Sequence, residues 1–229
     1  MKSAHEMRPG EILHARTPTA HAFVPVSPCF EWHAVHLPVG TDALIAEGLC
    51  RAAAEQVGGI VFQPLSFGLD EFRPRDQLRM WGFRPTDRVY GMNFPELPLA
   101  SEYSRKPELQ AAVHNRLNAL RAGGFRHVFV VNNHGGAGQR ETLHDLCQEL
   151  DDPRRGFHAH YFQVQDLLTL KHELLETGGH AGLSETLMLM AFRPELVDLH
   201  ALPEGNLNVL RHGILHWQPD IDARYNPRR

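Results

Sequence analysis

Apolar residues along the chain fall into two kinds of register, and their alternation sets out the elements. Ala22–Phe30 (AFVPVSPCF) reads as a buried strand ending in a loop. Thr41-Asp42 then opens the periodic run DALIAEGLCRAAAEQ, with Thr or Asp well placed as N-cap and Gly58-Gly59 as a stop. IVFQPLSFG follows as a second strand and its loop. Helical spacing resumes over Lys106–Ala122 and ends at Gly123-Gly124. HVFVVNN is a continuous β-branched and aromatic run, as expected of a parallel strand covered on both faces. Gln139–Leu150 reads as a helix, Gly156–Val164 as a strand and Gly182–Met190 as a short helix. The β-α alternation predicts a single α/β domain with a mostly parallel central sheet and helices on both faces. In such sheets chemistry gathers at the carboxyl ends of the strands.

Two stretches carry no such register. Residues 1–20 are polar with an early Pro-Gly and read as a loose N-terminal arm, leaving 21–229 as the domain. Residues 70–106 hold four prolines, several arginines and Trp81, and read as a long loop. A connection of that length is usually functional, as a lid or a partner-binding arm. Trp81, Phe83 or its arginines are expected to supply substrate specificity.

Composition narrows the class. With 229 residues, 42% of them hydrophobic, the chain can bury a sizeable core. A net charge of −4 with scattered basic residues gives no footprint for nucleic acid or a membrane surface. No run is long enough for a signal peptide or a membrane span. Cys29, Cys50 and Cys147 are odd in number and lack CxxC spacing, which argues against disulfides and for a reducing compartment, by default the cytoplasm. Sixteen histidines are the unusual count, and their placement matters more than their number.

Three clusters draw attention. Glu31-Trp32-His33 follows a strand end, where alternate side chains share a face, and Asp42 lies at a helix start. A carboxylate, an imidazole and a second carboxylate suit a divalent ion. The plainer alternative is a capping Asp42 beside solvated loop histidines. In Asn132–Gly136 the glycines let the turn aim His134 into a site and offer N–H groups to a substrate oxygen, unless this is an ordinary strand-helix turn. In Gly178–Thr186, Glu185 sits in a first helical turn, where capping alone would explain it, and His180 lies among small residues as a candidate acid or base.

In this order the three clusters resemble the creatininase family. EWHAVHLPVGTD matches its E-x-H-G-x-H-L-P-x-x-T-D motif, with Ala34 for the usual glycine. NNHGGA resembles N-G-H-G-G-N, with Asn133 and Ala137 as departures, and HAGLSET matches H-A-G-x-x-E-T. Phe94-Pro95 is similar to an FPG element in a loop that is longer here. The resemblance spans about residues 20–200. It implies two divalent ions per subunit (Zn²⁺, Mn²⁺ or Fe²⁺). Glu31 and His134 would hold one, His33 the other, and Asp42 would bridge. Creatininase supplies a carboxylate two positions after the HGG-type histidine, where this chain has Gly136. Glu185 is therefore expected as a ligand to the second ion, or as a base. His180 would transfer protons, and His36 would support the ligands by hydrogen bonding.

The activity implied is metal-dependent hydrolysis of a C–N bond in a small cyclic amide or formamide. Hydrolytic C–C cleavage of a cyclic diketone or keto-sugar is the alternative enzyme, and a catalytically silent ligand-binding subunit is the alternative class. A small-molecule substrate and a homo-oligomer, possibly a hexamer, are the partners the resemblance implies.

Overall fold

In the computed structural model, residues 3–17, 19–84, 86–167, 179–202 and 213–214 are described. Gly178, at the edge of the third cluster, and the terminal Arg228-Arg229 lie outside them. The chain divides into two units and passes between them repeatedly. The first unit comprises Met1–Cys29, Asp42–Leu69 and Tyr103–Leu168, and the second Phe30–Thr41, Asp70–Glu102 and Thr169–Arg229.

The first unit carries the sheet. Helix α1 (Pro9–Arg16) precedes β1 (His21–Pro25), α2 (Thr41–Val57) leads to β2 (Ile60–Val61), and α4 (Lys106–Ala122) leads to β3 (His127–Asn132). Helix α5 (Gln139–Leu150) then leads to β4 (His158–Gln163). All pairings are parallel, in the order β2-β1-β3-β4. Leu109, Val113, Leu117 and Leu120 recur at helical spacing on α4 and bury against Ala22, Val24, Val128 and Val130, together with Leu143, Leu146, Cys147 and Leu150 of α5. Residues of opposite parity on the strands, Phe23, Phe129 and Val131, face the other way and line a cavity with Leu49, Cys50, Ala53 and Val57 of α2. The sheet therefore has helices on both faces, as the patterning predicts.

The strands are shorter than the apolar runs. β1 ends at Pro25, and only an isolated bridge, Val26 to Leu65, continues it. β2 keeps two residues before Gln63-Pro64, because proline cannot donate to a ladder. The N-terminal stretch differs from the expected loose arm. Ser3 and Ala4 are buried, Arg51 donates to Ser3 Oγ at 2.7 Å, and α1 starts on Pro9 with Glu11 accepting from Arg8 N.

The second unit holds α3 (Arg75–Met80) and α6 (Leu183–Phe192). Residues 70–102 are ordered around their own apolar centre: Leu78, Trp81, Phe83, Val89, Met92 and Phe94 are buried together. Phe83 stacks on Phe94 at 5.6 Å, and Arg73 pairs with the buried Asp70 at 2.8 Å. This corrects the expectation for Trp81 and Phe83. At 5% and 4% exposure their rings are packing residues with little surface left for a substrate.

All three cysteines are free thiols. Burial pushes Cys147 up to about 12 and Cys50 higher still, which makes both inert. No described helix is long and apolar enough to cross a membrane.

Candidate metal centre

Each unit gathers its own set of ligand-type side chains. In the first, Asp42 stands in the first turn of α2, where free N–H groups favour a carboxylate. His134 follows the carboxyl end of β3, and both side chains are almost wholly buried. His134 Nε2 is 2.9 Å from the Leu69 carbonyl oxygen, and its Nδ1 is 3.0 Å from Asp42 Oδ2. A carbonyl oxygen only accepts, so Nε2 carries a proton and donates it. Nδ1 then meets the carboxylate in one of two ways. It is the second donor of an imidazolium, or it is a lone pair sharing a cation with Asp42. Ligand bonds of about 2.0–2.2 Å put neighbouring ligand atoms about 3 Å apart, so the spacing suits the second arrangement.

Beneath this pair runs a buried amide network. Asn132 Oδ1 accepts from His134 N at 3.1 Å, and Asn132 Nδ2 donates to His134 O at 2.8 Å and to Gln163 Oε1 at 2.7 Å. Gln139 Oε1 accepts from Leu69 N at 2.8 Å, so one side chain fixes the segment that offers its carbonyl to His134. Asn133 Nδ2 donates to Asp42 Oδ1 at 2.7 Å. Of the two turn glycines, Gly136 is the one that sterics require. A Cβ there would lie 2.0 Å from the Leu69 carbonyl oxygen and 2.1 Å from His134 Nε2, whereas one at Gly135 would meet nothing within 4 Å.

In the second unit Glu31 and His33 are each 1% exposed, on irregular backbone. His33 Nδ1 donates to the Glu31 carbonyl at 3.0 Å. That leaves Nε2 toward two carboxylates, 4.0 Å from Glu31 Oε2 and 3.9 Å from Glu185 Oε2. The local logic repeats that of His134. Glu185, in the first turn of α6, also accepts from Ala181 N at 2.6 Å, so it ties the segment before the helix to the first turn and faces His33 at once. His180 donates from Nε2 to the Trp32 carbonyl and lies with its ring 4.2 Å from that of His33. Glu31, His33 and His180 each offer one ligand atom, all within 4.8 Å of one another.

His36 takes a different part from the one the resemblance implies. Its Nε2 bonds Thr186 Oγ1 at 3.0 Å, and that hydroxyl donates to Gly182 O, so His36 must be the donor. It ties its loop to α6 beside Glu185. Burial first, and the neighbouring His33 second, hold its pKa below the usual histidine value. The backbone bears strain here as well: Ala34 and Ala181, adjoining His33 and His180, take φ of +59° and +53°.

The comparisons fit this geometry. The family model described as creatinine amidohydrolase matches residues 5–81 and 89–222, which reach into both units. The chain belongs to the creatininase family. A putative creatinine amidohydrolase from Bacteroides fragilis is 24% identical, with 87% of this chain and 70% of that one covered and a TM-score of 0.60. A creatininase mutant described as of Zn-Zn type is 20% identical over 90% of this chain and 79% of that one, with a TM-score of 0.65. A manganese creatininase is 17% identical over 90% and 82%, at 0.61. Among curated proteins none matches the sequence. At such identities the likeness shows the fold, and this creatininase-family fold carries candidate metal-binding groups.

Reading the sequence named Glu31, His33, Asp42, His134, His180 and Glu185 but missed Asn133 and the amides Gln139, Gln163 and Gln165. The available signal was a pair of asparagines directly after the apolar run Val128–Val131, which marks polar groups that must find partners in the interior.

Proposed function

We propose that this protein is a metal-dependent hydrolase that opens a C–N bond in a small cyclic amide or formamide-type substrate. Family membership supports the hydrolase class. The observation that carries the metal is the shared arrangement of His33 and His134, each with one nitrogen donating to a main-chain carbonyl and the other turned to a carboxylate. Buried imidazoles and carboxylates are the donor set that zinc, manganese or iron takes. In this reading Glu31, His33, Asp42, His134 and Glu185 would hold the ions.

Ions held so would lower the pKa of a bound water to about 7 and polarise the carbonyl it attacks. The chain's own residues do the remaining work. The Leu69 and Glu31 carbonyls fix the tautomers of His134 and His33. His180, with Nε2 committed to Trp32, has Nδ1 as the nitrogen that takes up and releases a proton, and delivers it to the leaving amine. Glu185, placed by its bond from Ala181 N, is the alternative proton carrier, in which role it would not be a ligand. Assembly into a homo-oligomer completes the proposal, checked by light scattering on the eluting protein.

The test is a hydrolysis screen across lactams, formamides, hydantoin-like rings and cyclic ketones, run on metal-loaded and on chelator-treated protein. Turnover of an amide that disappears with the metal supports the proposal. Turnover of cyclic ketones alone would move the reaction to C–C cleavage, and metal binding without any turnover would point to a silent binding subunit.

A further inference from the structure

We propose that Asn133 is a positioning residue that fixes the Asp42 carboxylate and thereby sets the affinity of the site for its ion. The inference rests on the metal reading above and deepens it. Asn133 is fully buried, so its amide must find partners inside the protein. Its Nδ2 donates to Asp42 Oδ1 at 2.7 Å. The orientation of that amide is set independently from the other side. Gln165 Nε2 donates to Asn133 Oδ1 at 3.2 Å and to the Asn133 main-chain oxygen at 2.8 Å. Flipping the Asn133 side chain would set an NH₂ against an NH₂ and an amide oxygen against the carboxylate. Both contacts are unfavourable, so the donor stays on Asp42. The main chain is pinned as well, with Asn133 N donating to Ser27 Oγ at 3.0 Å.

The consequence falls on the second oxygen. With Oδ1 held by Asn133, the carboxylate plane is fixed and Oδ2 is the oxygen 3.0 Å from His134 Nδ1. Asp42 is thus oriented before any ion arrives, and the rotamer freedom it would lose on binding is already spent. Gln165 is exposed, so the device runs from the protein surface through Asn133 to Asp42.

The test compares native protein, Asn133→Ala and Gln165→Ala by competition with a chromophoric chelator for zinc, alongside the melting temperature of the metal-free forms. Outer-shell partners of metal ligands typically cost about 10–100-fold in affinity when removed. Asn133→Ala is expected to weaken zinc binding in that range, and Gln165→Ala by a smaller factor in the same direction. If Asn133→Ala does not fold, the surface variant still decides: weaker zinc binding at an unchanged melting temperature supports the assignment, and unchanged binding overturns it. A folded Asn133→Ala that melts lower but binds zinc within about twofold of native is a structural residue only, and that result also overturns it. Native protein that takes up no zinc overturns the metal reading itself, which is a separate outcome.

Discussion

The two units hold their ligand-type residues by opposite means. In the first, Asp42 and His134 stand at a helix start and a strand end, and Asn132, Asn133, Gln139 and Gln163 lock them with side-chain amides. In the second, Glu31, His33 and His180 sit on irregular backbone, two alanines beside them take left-handed φ, and Glu185 accepts from Ala181 N, just ahead of its helix. A site on rigid elements is held by packing, and a site on loops is held by conformation that the surroundings must impose. Removing a ligand from either set should therefore cost bound metal, and a change beside either set should show in turnover or stability.

The largest effect is expected at Asp42. Asp42→Ala should abolish binding of both ions, because the proposed bridging carboxylate is a ligand and a charge for each, whereas His33→Ala should mainly empty one site. Elemental analysis of the two purified variants checks this, and two ions retained by Asp42→Ala would refute the bridging role.

His180→Ala comes next. A lost proton carrier lowers turnover by roughly 10²–10⁴-fold with metal content near normal. Its place among the ligand atoms of Glu31 and His33 sharpens the test, since a ligand would take metal with it when removed. Turnover and metal content measured on the same preparation separate the two roles.

Gly136→Ala should cost about 1–3 kcal/mol through overpacking, because the new methyl would meet the Leu69 carbonyl and the His134 ring. Thermal unfolding reads it. Gly135→Ala, with open space around its Cβ position, is the control and should move far less.

The smallest effect has the opposite sign. Ala34→Gly removes a left-handed alanine and should stabilise by roughly 0.5–1 kcal/mol, since only glycine takes that φ without steric cost. A lower melting temperature would show that the Ala34 methyl packs usefully enough to outweigh its strain.

What the sequence made legible follows the same divide. Helices α4 and α5 match the expected Lys106–Ala122 and Gln139–Leu150, since apolar spacing, Pro107 with Glu108 at the start and Gly123-Gly124 at the end all agree. Helix α1 was not legible, because Pro9–Arg16 fully buries no residue and sets only Ile12 and Ala15 against the core, too short an apolar face to read. Residues 70–106 read as a loop because their centre of Trp81, Phe83 and Phe94 is assembled from positions without a period. The ligand-type residues were legible through their motifs. The amide network was not, since Gln163 and Gln165 lie about thirty residues from Asn133 and hydrogen bonding between side chains leaves no periodic mark.

The central claim is that imidazoles oriented by carbonyls, beside buried carboxylates, hold metal. It is tested most directly by loading the chelator-treated protein with zinc, manganese or iron and counting bound ions per chain after desalting. The account predicts about two ions per chain, released as pH falls through the histidine range because the ligands must be deprotonated to bind. Protein that retains no ion of any of the three metals would contradict it.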